Sequence, residues 1–354
     1  METLLNFAAI DRENGFRMDG YWIWCPSIIR DEQGAYHMFA SRWPDWLPMH
    51  PGWLTNSEVV RATASQPEGP YQFAEVVLPA RGPEYWDGRS THNPTVRFHA
   101  GRYYLFYTGI TFPLKGLQQG DNLSTSDPHC IVARASKRVG VAWADSLDGP
   151  WHRMDQPLLP TSPDTFYSFL TSNPAPTIHA DGRVTMLFKA RRYLRESRLA
   201  AYRGDTHGAM TIGIATADRP EGPYRVACAE PLFSPEKFGE IEDPFLWEDG
   251  DGFHLIAKDM SGVICGEAGA GIYARSPDAR SWVLGNPRLA YRLRLPLRDG
   301  GTQTVGSLER PFLFRNHGRI THLCASVSNG TTNFTDATRT WNVVIPVNES
   351  SLEY

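Results

Sequence analysis

The sequence predicts an all-β protein, a five-bladed β-propeller with four antiparallel strands per blade. Three observations carry that prediction. A unit made of a short polar approach, a proline, and two apolar runs around a tight turn is written five times. A second unit, a run of small residues closed by Gly-Pro and an aromatic, follows in several copies. The chain is also rich in strand and turn formers: aromatics are 12% of its 354 residues, with 31 glycines and 27 prolines.

The copies run in order along the chain. The first is Cys25-Pro26-Ser27-Ile28-Ile29, a turn at 31–34, then a run over 36–41. The second is Asn93-Pro94-Thr95-Val96, a turn at 99–101, then 103–108. The third is framed on Ala175-Pro176, with a turn at 180–182 and a run over 184–189. The fourth is Asp243-Pro244-Phe245-Leu246-Trp247, a turn at 248–252, then 253–258. The fifth is Glu309-Arg310-Pro311-Phe312-Leu313-Phe314, a turn at 316–318, and a second apolar run. The prolines stand at 26, 94, 176, 244 and 311, in steps of 68, 82, 68 and 67.

The second unit spans 59–65 before Glu68-Gly69-Pro70-Tyr71, returns at 139–145 before Asp148-Gly149-Pro150-Trp151, and again at 212–218 before Glu221-Gly222-Pro223-Tyr224. Residues 271–276 form a weaker copy and 341–345 a remnant. Each repeat thus offers a hairpin, a third small-residue strand, a turn and an aromatic fourth strand. Four short strands per repeat make a propeller blade. One blade has no partner on which to bury its faces, so residues 1–354 are expected as one propeller domain rather than a string of sandwiches.

Composition narrows the partners. A net charge of −4, with 21% charged residues, gives no reason to expect nucleic acid or an anionic membrane. Five cysteines, Cys25, Cys130, Cys228, Cys265 and Cys324, are an odd number without a CxxC pair, which argues against a disulfide framework or zinc ribbon. The amino terminus lacks a signal-peptide pattern and no 18-residue apolar run occurs, so a cytoplasmic protein is expected. His37, His254 and His322 recur near the starts of second strands, which reads as repeat register rather than metal ligation. No nucleotide motif appears and no cofactor is expected; a calcium or sodium ion in the channel is compatible with the architecture, but no pattern demands one. The sequence carries no signal of oligomeric state.

In a propeller the first strand of each blade lines the central channel. Here the first-to-second turns are short, whereas the second-to-third connections over 44–57, 110–137, 191–209, 260–269 and 327–337 are long. Long connections gathered on one face place function there. The predicted lining takes Asp19, Tyr21, Trp22, Trp24, Cys25 and Trp43 from blade one, and Trp86, Asp87, Arg89, His92 and Asn93 from blade two. Blade three adds Ser172, Asn173, Lys189 and Arg191; blade four Glu242, Asp243, Lys258 and Asp259; blade five Glu309 and Arg310. Carboxylates, amides, a guanidinium and indoles suit a sugar, whose hydroxyls take polar partners and whose C–H face takes an aromatic platform. An oligosaccharide is the expected partner. Glycosidic cleavage generally takes two carboxyls, one kept protonated, and Glu309, Asp243, Glu242, Asp87 and Asp19 are the candidates.

Over nearly the whole chain, the pattern of an acid or amide, Pro, apolar run, acidic-Gly turn and aromatic strand resembles the five-bladed glycoside hydrolases of family 43 and its relatives in families 32, 62, 68 and 117. In the family 43 pattern an Asp-Pro supplies the base, a second Asp-Pro tunes the acid, and a Glu-Gly-Pro supplies the acid. The resemblance implies the tuning role for Asp243 and the acid role for Glu309. The base has no counterpart: Cys25-Pro26 opens blade one and Asn173-Pro174-Ala175-Pro176 opens blade three. Asp87 or Asp19 is then the candidate base.

The leading reading is an exo-acting glycoside hydrolase on short oligosaccharides, inverting if it follows the resemblance, with its carboxyls roughly 6.5–9.5 Å apart. A second reading is a cytoplasmic glycoside phosphorylase of the family 130 type, in which phosphate replaces water, one acid suffices, and Lys189, Arg191, Arg192 and Lys258 supply cations. A third is a non-catalytic carbohydrate-binding propeller, whose carboxyls would be replaceable without loss of binding. Arabinose, xylose, galactose and fructose all suit the architecture.

Overall fold

Strands covered on both faces must be apolar nearly throughout, and the five proline-led strands are buried at all but their ends. In a computed structural model that describes residues 2–194, 207–331 and 333–348, they are the innermost strands of five antiparallel sheets. Blade one holds β1 (Tyr21–Arg30), β2 (Tyr36–Pro44), β3 (Glu58–Ala64) and β4 (Gln72–Leu78). Blade two holds β5 (Ser90–His99), β6 (Arg102–Ile110), β7 (Arg138–Ala144) and β8 (His152–Arg153). Blade three holds β9 (Leu170–Ile178), β10 (Val184–Arg191), β11 (Thr211–Ala217) and β12 (Arg225–Val226). Blade four holds β13 (Ile241–Asp249), β14 (Gly252–Asp259), β15 (Gly271–Ser276) and β16 (Val283–Tyr291). A small hairpin, β17 (Arg294–Pro296) and β18 (Thr302–Thr304), leads to blade five, with β19 (Ser307–Asn316), β20 (Arg319–Ser328) and β21 (Thr340–Pro346). The inner strands pack in a closed ring, β1 on β5, β5 on β9, β9 on β13, β13 on β19 and β19 on β1. The sequence-predicted propeller is the observed fold.

Blade five takes its outermost pairing from the other end of the chain. Phe16 and Asn342 exchange backbone hydrogen bonds of 2.8 and 2.9 Å, and Phe7 bridges Val347. This covers an edge that would otherwise expose unpaired groups. Gly15 makes the approach possible: its φ is +89°, and a Cβ there would lie 1.8 Å from the Asn342 carbonyl oxygen.

Every inner strand breaks its pairing at one register. The residue before the proline is left-handed in each blade: Cys25 (φ 57°), Asn93 (58°), Asn173 (50°), Asp243 (56°) and Arg310 (56°). Pairing slips there, between Trp24 and Ser27, His92 and Thr95, Glu242 and Phe245, and Glu309 and Phe312. These are β-bulges, which re-aim side chains, and a non-glycine residue in this conformation costs about 1–3 kcal/mol. Blade three corrects the sequence frame. Its bulge is at Asn173-Pro174, not Ala175-Pro176, because Asn visits the left-handed region far more readily than Ala. The proline steps become 68, 80, 70 and 67.

Two connections expected as loops hold helices, α1 (Met49–Asn56) and α2 (Pro128–Ser136); a third short helix, α3 (Pro235–Phe238), precedes blade four. The connection predicted at 191–209 is seen only at its ends, since 195–206 lie outside the described residues. No described helix is long and apolar enough to cross a membrane.

Candidate active site

The five bulges face a pocket of about 250 Å³. That is just below the usual size of small-molecule sites, about 300–1,000 Å³, and suits a ligand of one or two rings. Each long connection adds to its wall: Trp53 from α1, Lys137 at the end of α2, then Met210, Met260 and Phe334. A second cavity lies at the other end of the channel, lined by Ile28, Val96, Arg97, Phe245 and Phe312 among others. It shares no lining residue with the pocket. Arg97, half-buried there, lies 5.4 and 5.3 Å from the rings of Phe245 and Phe312 and donates to the Pro176 carbonyl at 3.0 Å.

Of the sequence candidates, Trp24, Trp43, His92, Asn93, Asn173, Lys189, Arg191, Glu242, Asp243, Glu309 and Arg310 line this pocket. Others do not, for identifiable reasons. Asp19 is exposed in a turn before β1. Asp87 is fully buried, receiving hydrogen bonds from Arg81 and Tyr107 at 2.6 Å and from Arg153 at 3.4 Å, so its oxygens serve the blade-two framework. Trp22 donates to the Leu47 carbonyl at 2.8 Å and Trp86 to the Met154 carbonyl at 3.1 Å, each bracing a loop. Arg89 holds the carbonyls of Phe112 and Leu114, and Asp259 caps the backbone N–H groups of Gly262, Ile264 and Cys265. Tyr21 lies under Arg42. Cys25 and Ser172 are buried behind the wall, and burial pushes the Cys25 thiol up to about 12. Arg192 is exposed outside the pocket.

The bulge register places a second tier of residues. Opposite Trp24, His92, Ser172, Glu242 and Glu309 on the inner strands stand Ser41, Thr108, Lys189, Lys258 and Ser326 on the second strands. The hydroxyls reach forward to the next blade and accept its bulge N–H: Ser41 from Asn93 at 3.1 Å, Thr108 from Asn173 at 3.1 Å, and Ser326 from Cys25 at 2.6 Å. The two lysines reach forward to side chains instead, Lys189 to Glu242 and Lys258 to Glu309. Lys258 itself is 2% exposed and sits behind Glu309.

These contacts set the charges. Burial raises the Glu309 carboxyl, and the neighbouring Asp243 and Glu242 add to the rise against the pull of Lys258. Lys258 does not cancel it because it serves three carboxylates at once; burial works against its charge, yet Glu309, Glu242 and Asp243 hold it above its ordinary value. Glu242 goes the other way: burial would raise it, but Lys189 and Lys258 outweigh that and hold it well below its ordinary value. Asp243 accepts from the Asn173 amide at 2.6 Å and from the Arg310 guanidinium at 3.1 Å and backbone at 3.2 Å.

The opposite wall is aromatic. His92 stacks on Trp53 at 4.7 Å and meets Trp43 edge-on at 5.7 Å. Burial and the cations Arg310, Lys137 and Lys189 keep its imidazole well below the usual value, hence neutral. The Trp53 indole donates to His50 Nδ1 at 3.0 Å, and burial lowers His50 to about 4. His50, Trp53, Arg134 and Lys137 escaped the sequence reading. Only α2 carried a readable signal, the cap Asp127 followed by Pro128, which together open a helix. Among the described residues no group of three or more His, Cys, Asp or Glu is placed to hold a metal.

No family model matches the chain, and no curated protein matches it. Solved structures do. Zg3597, a family 117 glycoside hydrolase from the marine bacterium Zobellia galactanivorans, superposes with a TM-score of 0.63 at 18% identity, covering 98% of this chain and 91% of that one. CoXyl43, a family 43 β-xylosidase/α-arabinofuranosidase from a compost metagenome, gives 0.58 at 12% identity, covering 97% and 94%. An endo-arabinase from Bacteroides thetaiotaomicron gives 0.55 at 14% identity, covering 97% and 98%. The likeness is one of fold: the five-bladed propeller found in glycoside hydrolases of families 117 and 43.

Proposed function

We propose that the chain is a glycoside hydrolase that removes terminal sugars from short oligosaccharides, with Glu309 as general acid and Glu242 as the ionised carboxylate across the site. One observation carries this reading. Two carboxyls at equivalent positions of adjacent blades line one pocket, and their surroundings push one up and the other down. Carboxyls driven apart in this way are the mark of an acid and its ionised partner. The fold shared with known glycoside hydrolases adds weight.

The chemistry follows from the parts. Glu309 keeps its proton at higher pH than an ordinary glutamate and gives it to the departing glycosidic oxygen. Glu242 stays ionised and offsets the positive charge that develops at the anomeric carbon. Its depressed pKa makes it a weak base, so its charge counts for more than its proton affinity. It takes the place first sought in Asp87 or Asp19. Asp243 raises Glu309 and anchors Asn173 and Arg310, whose remaining donors face sugar hydroxyls. Trp24, Trp43 and Trp53 provide the apolar wall. A pocket of this size admits a chain end, and water arriving opposite the leaving group gives inversion, its proton passing to Glu242 as the new C–O bond forms.

The test is sugar release from aryl furanosides, aryl pyranosides and short oligosaccharides, with and without phosphate. We expect phosphate-independent release that falls about 10²–10⁴-fold in Glu309→Gln, with the smallest loss on the best leaving groups. Glu242→Gln should lose activity on all substrates alike, and the first product should carry the inverted anomer by NMR. Equal rates in Glu309→Gln would sink the assignment. Sugar phosphate formed only with phosphate present would make the protein a phosphorylase, a reading favoured by Arg134 and Lys137 on the pocket wall, which among the described residues have no carboxylate partner. Binding without cleavage would make it a carbohydrate-binding propeller.

A further inference from the structure

The pocket carries more positive charge than its carboxylates use. Lys189 is taken by Glu242, Lys258 by Glu309 and Arg310 by Asp243. Arg191 lies 3.5 Å from Glu240 and donates to the Gly208 carbonyl at 2.7 Å. Arg134 and Lys137, one helical turn apart at the end of α2, are different. Both line the pocket, and among the described residues neither side chain has a carboxylate or hydrogen-bond partner. Lys137 is only 3% exposed; its ammonium rests 5.0 Å from the centre of the Trp53 ring. A buried charge without a counter-ion is costly, and this one is crowded by further cations. After burial itself, Lys189, Arg134 and Arg191 oppose its protonation; Glu242 favours it, but that carboxylate is already paired with Lys189. A fold that merely needed to fill this space would do better with an apolar residue.

We propose that Arg134 and Lys137 form an oxyanion subsite in which the protein binds a negatively charged group together with its sugar. A carboxylate, or a sulfate or phosphate ester, carried on the sugar is one source of that oxyanion; free inorganic phosphate is the other. The subsite shares its pocket with Trp24, Trp43 and the Lys189–Glu242 pair, so a sugar bound there presents an acidic substituent to it. This rests on reading the pocket as a sugar site. An Arg fork beside a Lys point charge is a common means of holding carboxylate, sulfate or phosphate.

The experiment compares wild type with Arg134→Gln, Lys137→Met and the double variant. Melting temperature is measured alone and with galacturonate, glucuronate, galactose, glucose or inorganic phosphate, and dissociation constants come from tryptophan fluorescence. Lys137→Met should melt higher than wild type without ligand, because it replaces a buried amine that has no counter-ion of its own among the described residues. Wild type should bind one class of anion about ten- to a hundredfold more tightly than the neutral sugars, the scale of one or two charge-assisted hydrogen bonds. The double variant should lose that preference while still binding the neutral sugars. Arg134→Lys and Lys137→Arg should retain part of it.

Preference for uronates assigns the oxyanion to the substrate; preference for phosphate alone assigns it to a co-reactant. The inference is overturned if no anion distinguishes wild type from the double variant, or if Lys137→Met melts lower without ligand, which would show the ammonium to be structural. Cleavage of neutral glycosides without any anion preference would remove this inference and leave the glycosidase reading. Anion preference without cleavage would do the reverse.

Discussion

The five seams between blades follow one frame but fall into two kinds. At the seams from blade five to one, one to two and two to three, a hydroxyl on the second strand accepts the bulge N–H of the next blade. At the seams from three to four and four to five, a lysine in the same place pairs with the next blade's glutamate. The hydroxyl seams fix backbone and leave the inner-strand side chains free, and there the channel carries Trp24, His92 and their stacked neighbours. The lysine seams fix side chains and set their charge. Two adjacent seams thus hold the paired carboxylates while the rest of the ring holds the ring-stacking surface. Two residues per seam, within an otherwise constant bulge, separate the two kinds.

Breaking a lysine seam should have the largest effect. Lys258→Met leaves Glu309 buried without its cation. Loss of one partner of a buried pair costs about 3–5 kcal/mol, and we expect that loss in urea unfolding at neutral pH. Glu309 already has a raised folded-state pKa, and removal of Lys258 raises it further. Between the unfolded value, about 4.3, and the folded value, the folded state holds more protons than the unfolded one. The variant's stability therefore falls as pH rises through the folded value and recovers as pH drops toward the unfolded one. A deficit that stays constant from acid to neutral pH would show that Glu309 does not take up the proton.

The pH dependence of kcat/KM sharpens the same contrast. On the proposed assignment Glu309 works protonated, so activity should fall as pH rises through its raised pKa, by about tenfold per unit beyond the limb. The acid side should stay flat past the ordinary glutamate value, because Lys189 and Lys258 keep Glu242 ionised. In Lys258→Met the alkaline limb should move to higher pH. An unmoved limb would assign the titration to another group.

The fold was legible because a bulge followed by proline leaves a written trace, and because hairpin turns and small-residue third strands recur between copies. Half of the site was legible with it: residues beside the prolines are aimed at the channel by the same bulge in every blade. Blade three misled by offering two prolines, Pro174 and Pro176, and only the backbone demand at Asn173 decides between them. Asp87 misled because no motif beside it announces that Arg81, Tyr107 and Arg153 all turn onto its carboxylate. Helix α1 was hidden by its own irregularity, since His50 and Pro51 are not helical and no apolar face repeats along it. The Lys–Glu pairs join residues 53 and 51 positions apart, which repeat alignment reveals only once the second-strand register is known.

A hydroxyl seam should yield the smallest change. Thr108 is 1% exposed, and its oxygen is the acceptor for the Asn173 backbone N–H. Thr108→Val keeps shape and volume but strands that donor, a loss of about 1–3 kcal/mol. The effect should appear in urea unfolding without the pH dependence expected of Lys258→Met, because no titrating group at this seam has lost its partner. Ser41→Ala, which strands the Asn93 N–H in the same way, should match it. Glycosidase activity should fall less than for any carboxylate variant, since Asn173 still has Asp243 to orient its amide. If either hydroxyl variant instead shifted the alkaline limb of the rate profile, the two kinds of seam would be electrostatically coupled, and chemistry would not be confined to the lysine seams.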